Sequence, residues 1–281
     1  QMINFSIPAT GSSGHLTGGL MLAALLGPFW GFITMSVVLL IQALLFADGG
    51  LLAYGCNLFN MGFFACFLSY LLIYKPLTKP GRSAKWTAGA AVVASLASLQ
   101  LGAFAVVLET LLSGKTDLPF AAFVTYMQPI HLAIGLVEGL VTGAVLLFMR
   151  QARPELLGAP TAAAPKKSLR PLLITVLVAV ALVGGVMSWF ASSYPDGLEW
   201  STEKAATAAL TSDLADRTEE IQGNLALLPD YTFRNAQDEG AERLGTSVSG
   251  LLGGGVVLAL IAGIGGLSML LRRRTAKPVG A

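Results

Sequence analysis

The stretch Thr10-Gly-Ser-Ser-Gly-His-Leu-Thr-Gly-Gly19 holds one of only two histidines in a chain of 281 residues. Its Gly and Ser content is too high for a segment that only fills a hydrophobic core. An apolar run begins at Leu16, within this stretch. Two interpretations are open. In one, the stretch is a loop on the outer face of the membrane, and its imidazole, His15, contacts a substrate. In the other, it is the first turn of a helix, where Ser12 and Ser13 act as caps and His15 is incidental.

The composition places the chain in a membrane. Hydrophobic residues make up 54% of it and charged residues only 12%, whereas soluble domains carry about 25% charged residues. A chain of this kind must bury most of its surface in lipid, which predicts an all-α integral membrane protein. Cys56 and Cys66 are ten residues apart, about 15 Å along one helix, which is too far for a disulfide.

The first residues, Gln1-Met-Ile-Asn-Phe5, resemble the tail of a helix that has already begun. No charged segment followed by a cleavable apolar core precedes them, so we predict no signal peptide in this sequence. We expect the natural N-terminus to lie upstream of Gln1.

Runs of about 20 apolar residues predict membrane-spanning helices. The run 16–26 is too short for this. Its helix must either extend into the preceding loop or enter the membrane without crossing it. The run 119–149 is too long for one untilted span, and Pro129 is expected to divide it into a shallow piece and a true helix at 130–149. The predicted spans are 29–47, 51–74, 86–112, 130–149, 172–191 and 247–271.

The charges predict which ends of the spans face the cytoplasm. Three segments, 75–85, 150–171 and 272–281, hold 13 of the 18 Lys and Arg residues. Cytoplasmic loops carry the positive excess, so these segments, and with them the C-terminus, are predicted to be cytoplasmic. The polar segment 192–246, with 11 acidic and 4 basic residues, and His15 then fall on the outer side.

Ionisable and amide side chains inside the membrane are the other candidates. His131 and Glu138 are seven residues apart, so they share a helix face about 10 Å apart and could relay a proton or a cation. Asn57 and Asn60 could line a pore. For all four, interhelical hydrogen bonding is the commoner use, and both interpretations stay open. Glu109 lies near the outer interface and is expected simply to be solvated.

A protease is a further alternative. Residues 11–14 fit the Gly-x-Ser-Gly pattern of rhomboid intramembrane proteases, in which Ser is the nucleophile and a later His the base. Ser13 and His131 would form that pair. Four common residues recur by chance, and a histidine beside the serine, such as His15, is not part of that pattern.

Several motifs occurring in order resemble the CbiM/NikM family, the substrate-specific components of energy-coupling-factor transporters for cobalt and nickel. They are Gly11-Ser-Ser-Gly-His15, Asp48-Gly-Gly50 and Gly55-x-Asn57-x-x-Asn60-Met61. Farther on, Pro195-Asp-Gly-Leu-Glu199 resembles the PDGLE domain, a small subunit like NikN or CbiN. The chain thus resembles a natural fusion of the two.

The resemblance implies a polytopic helix bundle plus a two-helix C-terminal module with an extracytoplasmic loop. The substrate-binding membrane domain would cover 1–149, with its N-terminal part lying upstream. A cytoplasmic linker would cover 150–171, and the PDGLE module 172–281. The resemblance also implies that segment 192–246 touches the His15 loop and helps it open or close, the alternative being a solvated spacer.

The family binds its metal with nitrogen ligands: the N-terminal amine, a backbone nitrogen and an imidazole from a histidine just after the start, and the histidine of the Ser-Gly-His loop. His15 matches the last of these, and the others have no counterpart in this sequence. A planar nitrogen set suits Co(II) or Ni(II), and also Cu(II). The residues Asp48, Asn57, Asn60, His131 and Glu138 are candidates for a pathway or for supporting the ligands.

The sequence contains no Gly-x-x-x-x-Gly-Lys-[Ser/Thr] motif, so we do not expect this chain to be an enzyme. The resemblance implies ATPase partners of the CbiO/NikO type and a transmembrane coupling subunit of the CbiQ/NikQ type. It also implies a prokaryotic cell (inner) membrane, with transported Co(II) or Ni(II), no covalently bound cofactor and no nucleic acid. The chief alternative is a self-sufficient cation channel or secondary metal carrier.

Overall fold

The computed structural model describes residues 3–79, 81–116, 118–157, 168, 170–206 and 213–275, without the side chains of 172, 213, 215 and 272–275. It opens on an antiparallel β-hairpin of β1, Asn4–Ile7, and β2, Ser12–His15, with Asn4 opposite His15. The structure therefore contradicts the serine-capped helical turn, and the stretch forms a strand rather than a loop, while contact of His15 with a substrate stays a prediction. The expected helix tail before it was also wrong for residues 3–5.

The hairpin forms because its turn is closed by side chains and its two serines find partners in the interior. The Thr10 hydroxyl donates to the Ile7 carbonyl at 2.8 Å, and Gly11 takes a φ of 75°, which glycine adopts without strain. Ser12 and Ser13 are both fully buried. Serines buried in a strand are not available to cap a helix.

The short apolar run after the hairpin is helix α1, Gly19–Leu26, and helix α2 is Pro28–Phe46. Gly27 (φ 83°) separates them, and Pro28 occupies the first turn of α2, where its missing N–H costs nothing. The 8 residues of α1 span about 12 Å. As predicted, α1 is too short to cross a membrane.

The remaining helices carry most of the apolar length of the chain. Six described segments are long and apolar enough to cross a membrane, one for each predicted span. They confirm an all-α polytopic membrane protein. The helices are α3 Tyr54–Leu77, whose part Leu58–Tyr74 is wound as a π-helix, α4 Ala84–Ser113, α5 Phe120–Ala152, α6 Arg170–Gly185, α7 Gly197–Ala205, α8 Asp213–Leu225 and α9 Glu239–Thr275.

The predicted division of α5 at Pro129 was wrong. The helix is continuous over 33 residues, about 50 Å, with the proline inside it. Buried residues such as Met127 and Ile130 lie on both sides of Pro129, and Gln100 of α4 donates its side-chain amide to the Gln128 carbonyl at 2.9 Å. Packing against α4 outweighs the lost backbone hydrogen bond.

The hairpin lies inside the bundle rather than on its rim. Ile7 packs with Leu99 of α4 and with Ile130 and Ile134 of α5 in one buried cluster. Ile134 is 14 residues along α5 from its start, about 21 Å. The hairpin is therefore held near the middle of α5.

Opposite charges gather at opposite ends of the bundle. At one end, Arg150 donates to the Ser83 carbonyl at 3.3 Å and to the Thr87 hydroxyl at 2.7 Å, which brings the first two basic segments together. At the other end the acidic segment contacts the hairpin and the turn at 48–50. The bundle therefore has a basic end and an acidic end.

Candidate metal centre

A cavity of about 230 Å³ lies among the hairpin, helices α2 to α5 and the start of α7. It collects five of the six candidate residues from the sequence. Glu138 is not among the described residues that line it. The five that line it are His15, Asp48, Asn57, Asn60 and His131.

His15 is the last residue of β2, and it lines this cavity. Its Nδ1 is buried and has no hydrogen-bond partner within the described part of the chain. A buried polar atom is normally paired. An imidazole nitrogen with an unused lone pair is the donor that transition metals take from proteins, so the arrangement fits a metal ligand.

Glu138 fixes the residues that follow His15. It is fully buried, and it accepts hydrogen bonds from the Thr17 N–H (2.8 Å), the Thr17 hydroxyl (2.7 Å) and the Gly18 N–H (3.2 Å). These groups lie at the N-terminal end of α1, where a carboxylate is favoured by the helix dipole. Glu138 therefore joins α5 to the start of α1, and it is not among the described residues that line the cavity with His131.

His131 has one nitrogen committed and one free for the cavity. Its Nδ1 lies 2.8 Å from the Met127 carbonyl. Because a carbonyl only accepts, Nδ1 carries the proton and Nε2 keeps the lone pair. Ser13 donates instead to the Tyr194 carbonyl at 2.9 Å, and no hydrogen bond between Ser13 and His131 occurs among the described residues. The protease pair is not assembled.

The two asparagines of α3 are each oriented by a hydrogen-bond acceptor from another segment. Asn57 donates through Nδ2 to the Gly49 carbonyl at 2.7 Å, and Asn60 donates through Nδ2 to Glu109 Oε2 at 2.8 Å. Glu109 is half-buried in this pair. The expectation that it is merely solvated was wrong, because the Asn60 amide lies within its reach.

The Pro195–Glu199 motif enters the site from the C-terminal module. The Pro195 carbonyl accepts from the Ser13 N–H at 2.8 Å, so the motif lies directly against β2. Asp196 Oδ1 accepts from the Leu198 and Glu199 N–H groups at 2.8 Å and caps α7. Asp196 and Leu198 both line the cavity. The predicted contact between segment 192–246 and the His15 stretch is therefore present.

The motif requires glycine at position 197 because this position packs closely against α5. A Cβ at this position would lie 2.8 Å from Ile130 Cγ2 and 3.2 Å from His131 Cε1. Only the absence of a side chain lets the first turn of α7 rest on α5 beside the imidazole. The indole of Trp200 then donates to the Thr10 carbonyl at 3.0 Å and fastens α7 to the hairpin turn.

The module is attached a second time at the turn after α2. The Tyr231 hydroxyl donates to Asp48 Oδ2 and accepts from Gln42 Nε2 at 3.1 Å. Its ring stacks on Phe46 with the centroids 4.7 Å apart, and the Leu228 N–H donates to the Leu45 carbonyl at 3.0 Å. Burial, and then the Asp48 carboxylate, raise the pKa of Tyr231 well above its ordinary value.

Sequence reasoning missed Asp196, Leu198, Tyr231 and the role of Glu109. The first two lie in the motif that carries the resemblance, which was the signal for them. Tyr231 lies in the run Leu228-Pro-Asp-Tyr231, which also resembles the PDGLE domain, and no local pattern marks the role of Glu109. The described residues include no group of three or more His, Cys, Asp or Glu side chains placed to hold one ion. Among the described residues, the cavity offers the imidazoles of His15 and His131 rather than a full set of side-chain ligands.

Family comparison agrees with this arrangement. The family described as the cobalt uptake substrate-specific transmembrane region matches residues 1–156, and the PDGLE domain matches residues 170–270. The chain belongs to the CbiM family of cobalt uptake proteins. It is a multi-pass membrane protein of the cobalt and nickel transport family, carrying a PDGLE domain in its second part.

The chain is similar both to fused nickel transport proteins and to a cobalt transport protein. A fused nickel transport protein, NikMN, of Rhodobacter capsulatus is 30% identical over 97% of this chain and 84% of its own length. An Archaeoglobus fulgidus protein of the same fused type is 34% identical over 92% and 79%. The cobalt transport protein CbiM of Sorangium cellulosum is 32% identical over 54% and 67%. No solved structure matches the chain significantly.

Proposed function

We propose that this chain is the substrate-binding membrane component of an ATP-driven energy-coupling-factor importer for Co(II) or Ni(II). The observation that carries the proposal is His15 Nδ1, a buried imidazole nitrogen with no partner among the described residues, on a side chain that lines a cavity inside the bundle. Membership of the cobalt and nickel transport family supports the choice of ion.

The other candidate residues have supporting roles in this proposal. Asp48, Asn57, Asn60 and His131 line the route to His15, and Glu138 holds the backbone just after it. The domain bounds are those expected from the sequence, with 1–149 as the membrane domain, 150–171 as the linker and 172–281 as the PDGLE module. The module closes over the cavity through Pro195 and Tyr231.

The proposal also includes the energy source for transport and the orientation of the chain in the membrane. The sequence contains no phosphate-binding loop, so ATP is hydrolysed by subunits of the CbiO/NikO type and its energy reaches this chain through a CbiQ/NikQ-type subunit. The basic end of the bundle is cytoplasmic because cytoplasmic loops carry the positive excess. Segment 192–246 is then extracytoplasmic, in a prokaryotic cell membrane.

Uptake into membrane vesicles tests the proposal. The full-length protein is co-expressed with its coupling and ATPase subunits, and radioactive cobalt and nickel are supplied separately, with and without ATP. We expect uptake of at least one ion that requires ATP and every subunit. Uptake by this chain alone, without its partners, would instead establish the alternative of a channel or secondary carrier.

A further inference from the structure

Asn60 carries a buried oxygen that the structure does not use. The residue is 8% exposed, and it lines the cavity that contains His15. Its Oδ1 has no hydrogen-bond partner among the residues described, although its Nδ2 donates to Glu109. A buried amide oxygen left unpaired costs free energy, so its retention calls for a partner that is absent from the folded chain itself.

The orientation of that amide is settled by its neighbours. An ionised carboxylate only accepts, so the NH₂ group of Asn60 must face Glu109 and the oxygen must turn the other way. Asn57 has the same arrangement one turn earlier, because its NH₂ group faces the Gly49 carbonyl. Gly102 of α4 lies so close that a Cβ there would be 2.4 Å from the Asn60 carbonyl oxygen, so the backbone of α3 packs directly against α4 at this position.

The surroundings of Asn60 accept hydrogen bonds and favour positive charge. Asp48 and Asp196 line the same cavity, and none of the described residues lining it is Lys or Arg. With a volume of about 230 Å³ the cavity is large enough for several waters as well as an ion, because a water occupies about 30 Å³ of liquid. A ligand that is both cationic and rich in O–H donors fits this lining.

We propose that Asn60 binds the water shell of the entering divalent cation. The ion is held in the cavity as a hydrate, with a metal-bound water donating to Asn60 Oδ1, before one of its waters leaves and His15 Nδ1 takes that place. Glu109 is a positioning residue that keeps the amide turned toward the ion. This inference rests on the proposed function, and it adds a capture step that precedes ligation.

The test measures Ni(II) and Co(II) binding to the purified full-length protein by calorimetry and stopped-flow, together with the visible absorption of the bound metal. Asn60→Leu removes the acceptor at similar size. We expect association to be about tenfold slower, as for the loss of one hydrogen bond in the capture step. The absorption bands should keep their positions, because His15 still supplies the inner ligand.

Matched variants distinguish a loss of metal capture from a loss of folding. Ser69→Ala removes a buried hydroxyl of α3 that has no partner within the described residues and is not among the residues lining the cavity, so it should bind metal normally. Glu109→Ala should slow association as Asn60→Leu does, and Glu109→Gln should restore the rate because its amide oxygen still accepts from Asn60. Melting temperatures are recorded for all four variants.

Three results would overturn the inference. Wild-type association in both Asn60→Leu and Glu109→Ala would show that the amide does not meet the ion. A shifted absorption band in Asn60→Leu would show that Asn60 is an inner ligand rather than a contact of the water shell. A wild-type protein that binds neither metal would overturn the proposed function as well, which distinguishes the two failures.

Discussion

At the scale of single residues, His15 carries the chemical argument. Changing His15 to Ala should abolish cobalt and nickel uptake by the complex of the full-length protein with its partners, while expression and insertion stay normal. The imidazole is the metal-competent side chain of β2, and serine hydroxyls do not replace a nitrogen donor. Uptake is measured with radioactive metal, and an unchanged rate would refute the assignment of His15.

His131 should matter less, although it lines the same cavity. His131→Gln keeps a polar side chain at the position and should lower stability modestly, leaving the metal affinity of the full-length protein within a few-fold. Calorimetric titration with Ni(II) checks this. A loss as large as that of His15→Ala would instead place a second imidazole in the metal centre.

Glu138 should act on stability through the backbone after His15. Glu138→Ala removes the carboxyl group that accepts from the Thr17 hydroxyl and from the Thr17 and Gly18 N–H groups. The expected cost is about 1–3 kcal/mol of unfolding free energy, the usual range for removing one partner of a buried hydrogen bond. Thermal unfolding in detergent measures it, with Glu138→Gln as a milder control. An unchanged melting temperature in both variants would contradict this role.

At the scale of elements, the attachment of residues 229–231 to the end of α2 should depend on pH. The pKa of Tyr231 is raised in the docked state, so docking favours the protonated phenol. Its contribution is complete below about pH 10, the ordinary pKa of tyrosine, and is lost as the pH rises through the raised value. The attached segment should loosen above about pH 10, where a phenolate would face Asp48.

Limited proteolysis and hydrogen exchange of residues 228–231 across this pH range measure that loosening. Tyr231→Phe cannot ionise, so in that variant the step above pH 10 should disappear. Asp48→Asn removes the facing carboxylate and should make the step smaller. Equal steps in wild type and Tyr231→Phe would show that another group titrates.

At the scale of the whole molecule, the C-terminal module should be required for transport. Deleting 172–281 removes the contacts of Pro195 with β2 and of Tyr231 with Asp48, but it leaves the buried cluster that contains Leu20 and Leu146 intact. We expect the shortened protein to insert normally and to transport poorly, with co-expressed 172–281 restoring uptake. The segment 192–246 carries a net charge of −7, so part of this effect should weaken at high salt.

Transport at the full rate by the shortened protein would make the module dispensable and would contradict this prediction. A narrower variant tests the contact itself. Gly197→Ala places a methyl group against Ile130 and His131, so it should mimic the deletion in part without removing either span. Gly223→Ala is a suitable control, since a Cβ there meets open space.

The sequence by itself determined the membrane class, the six spans and the segregation of charge. These are properties of composition and of runs along the chain, and lipid imposes them on any segment of that length and polarity. It also marked His15, Asp48, Asn57, Asn60 and His131 as candidates, because polar groups are conspicuous against an apolar background. It misjudged the hairpin and Pro129, where packing against α4 and α5 outweighs local preference.

Only the tertiary structure decided what each candidate does. Glu138 meets Thr17 across 121 positions of sequence, and Tyr231 meets Asp48 across 183. No window of neighbouring residues contains such a pair, and the free energy of a buried polar group is set by the partner that it finds. Asn60 Oδ1 and His15 Nδ1 differ from the other polar atoms of the site for the same reason. Folding buries both atoms, and none of the described residues forms a hydrogen bond with either.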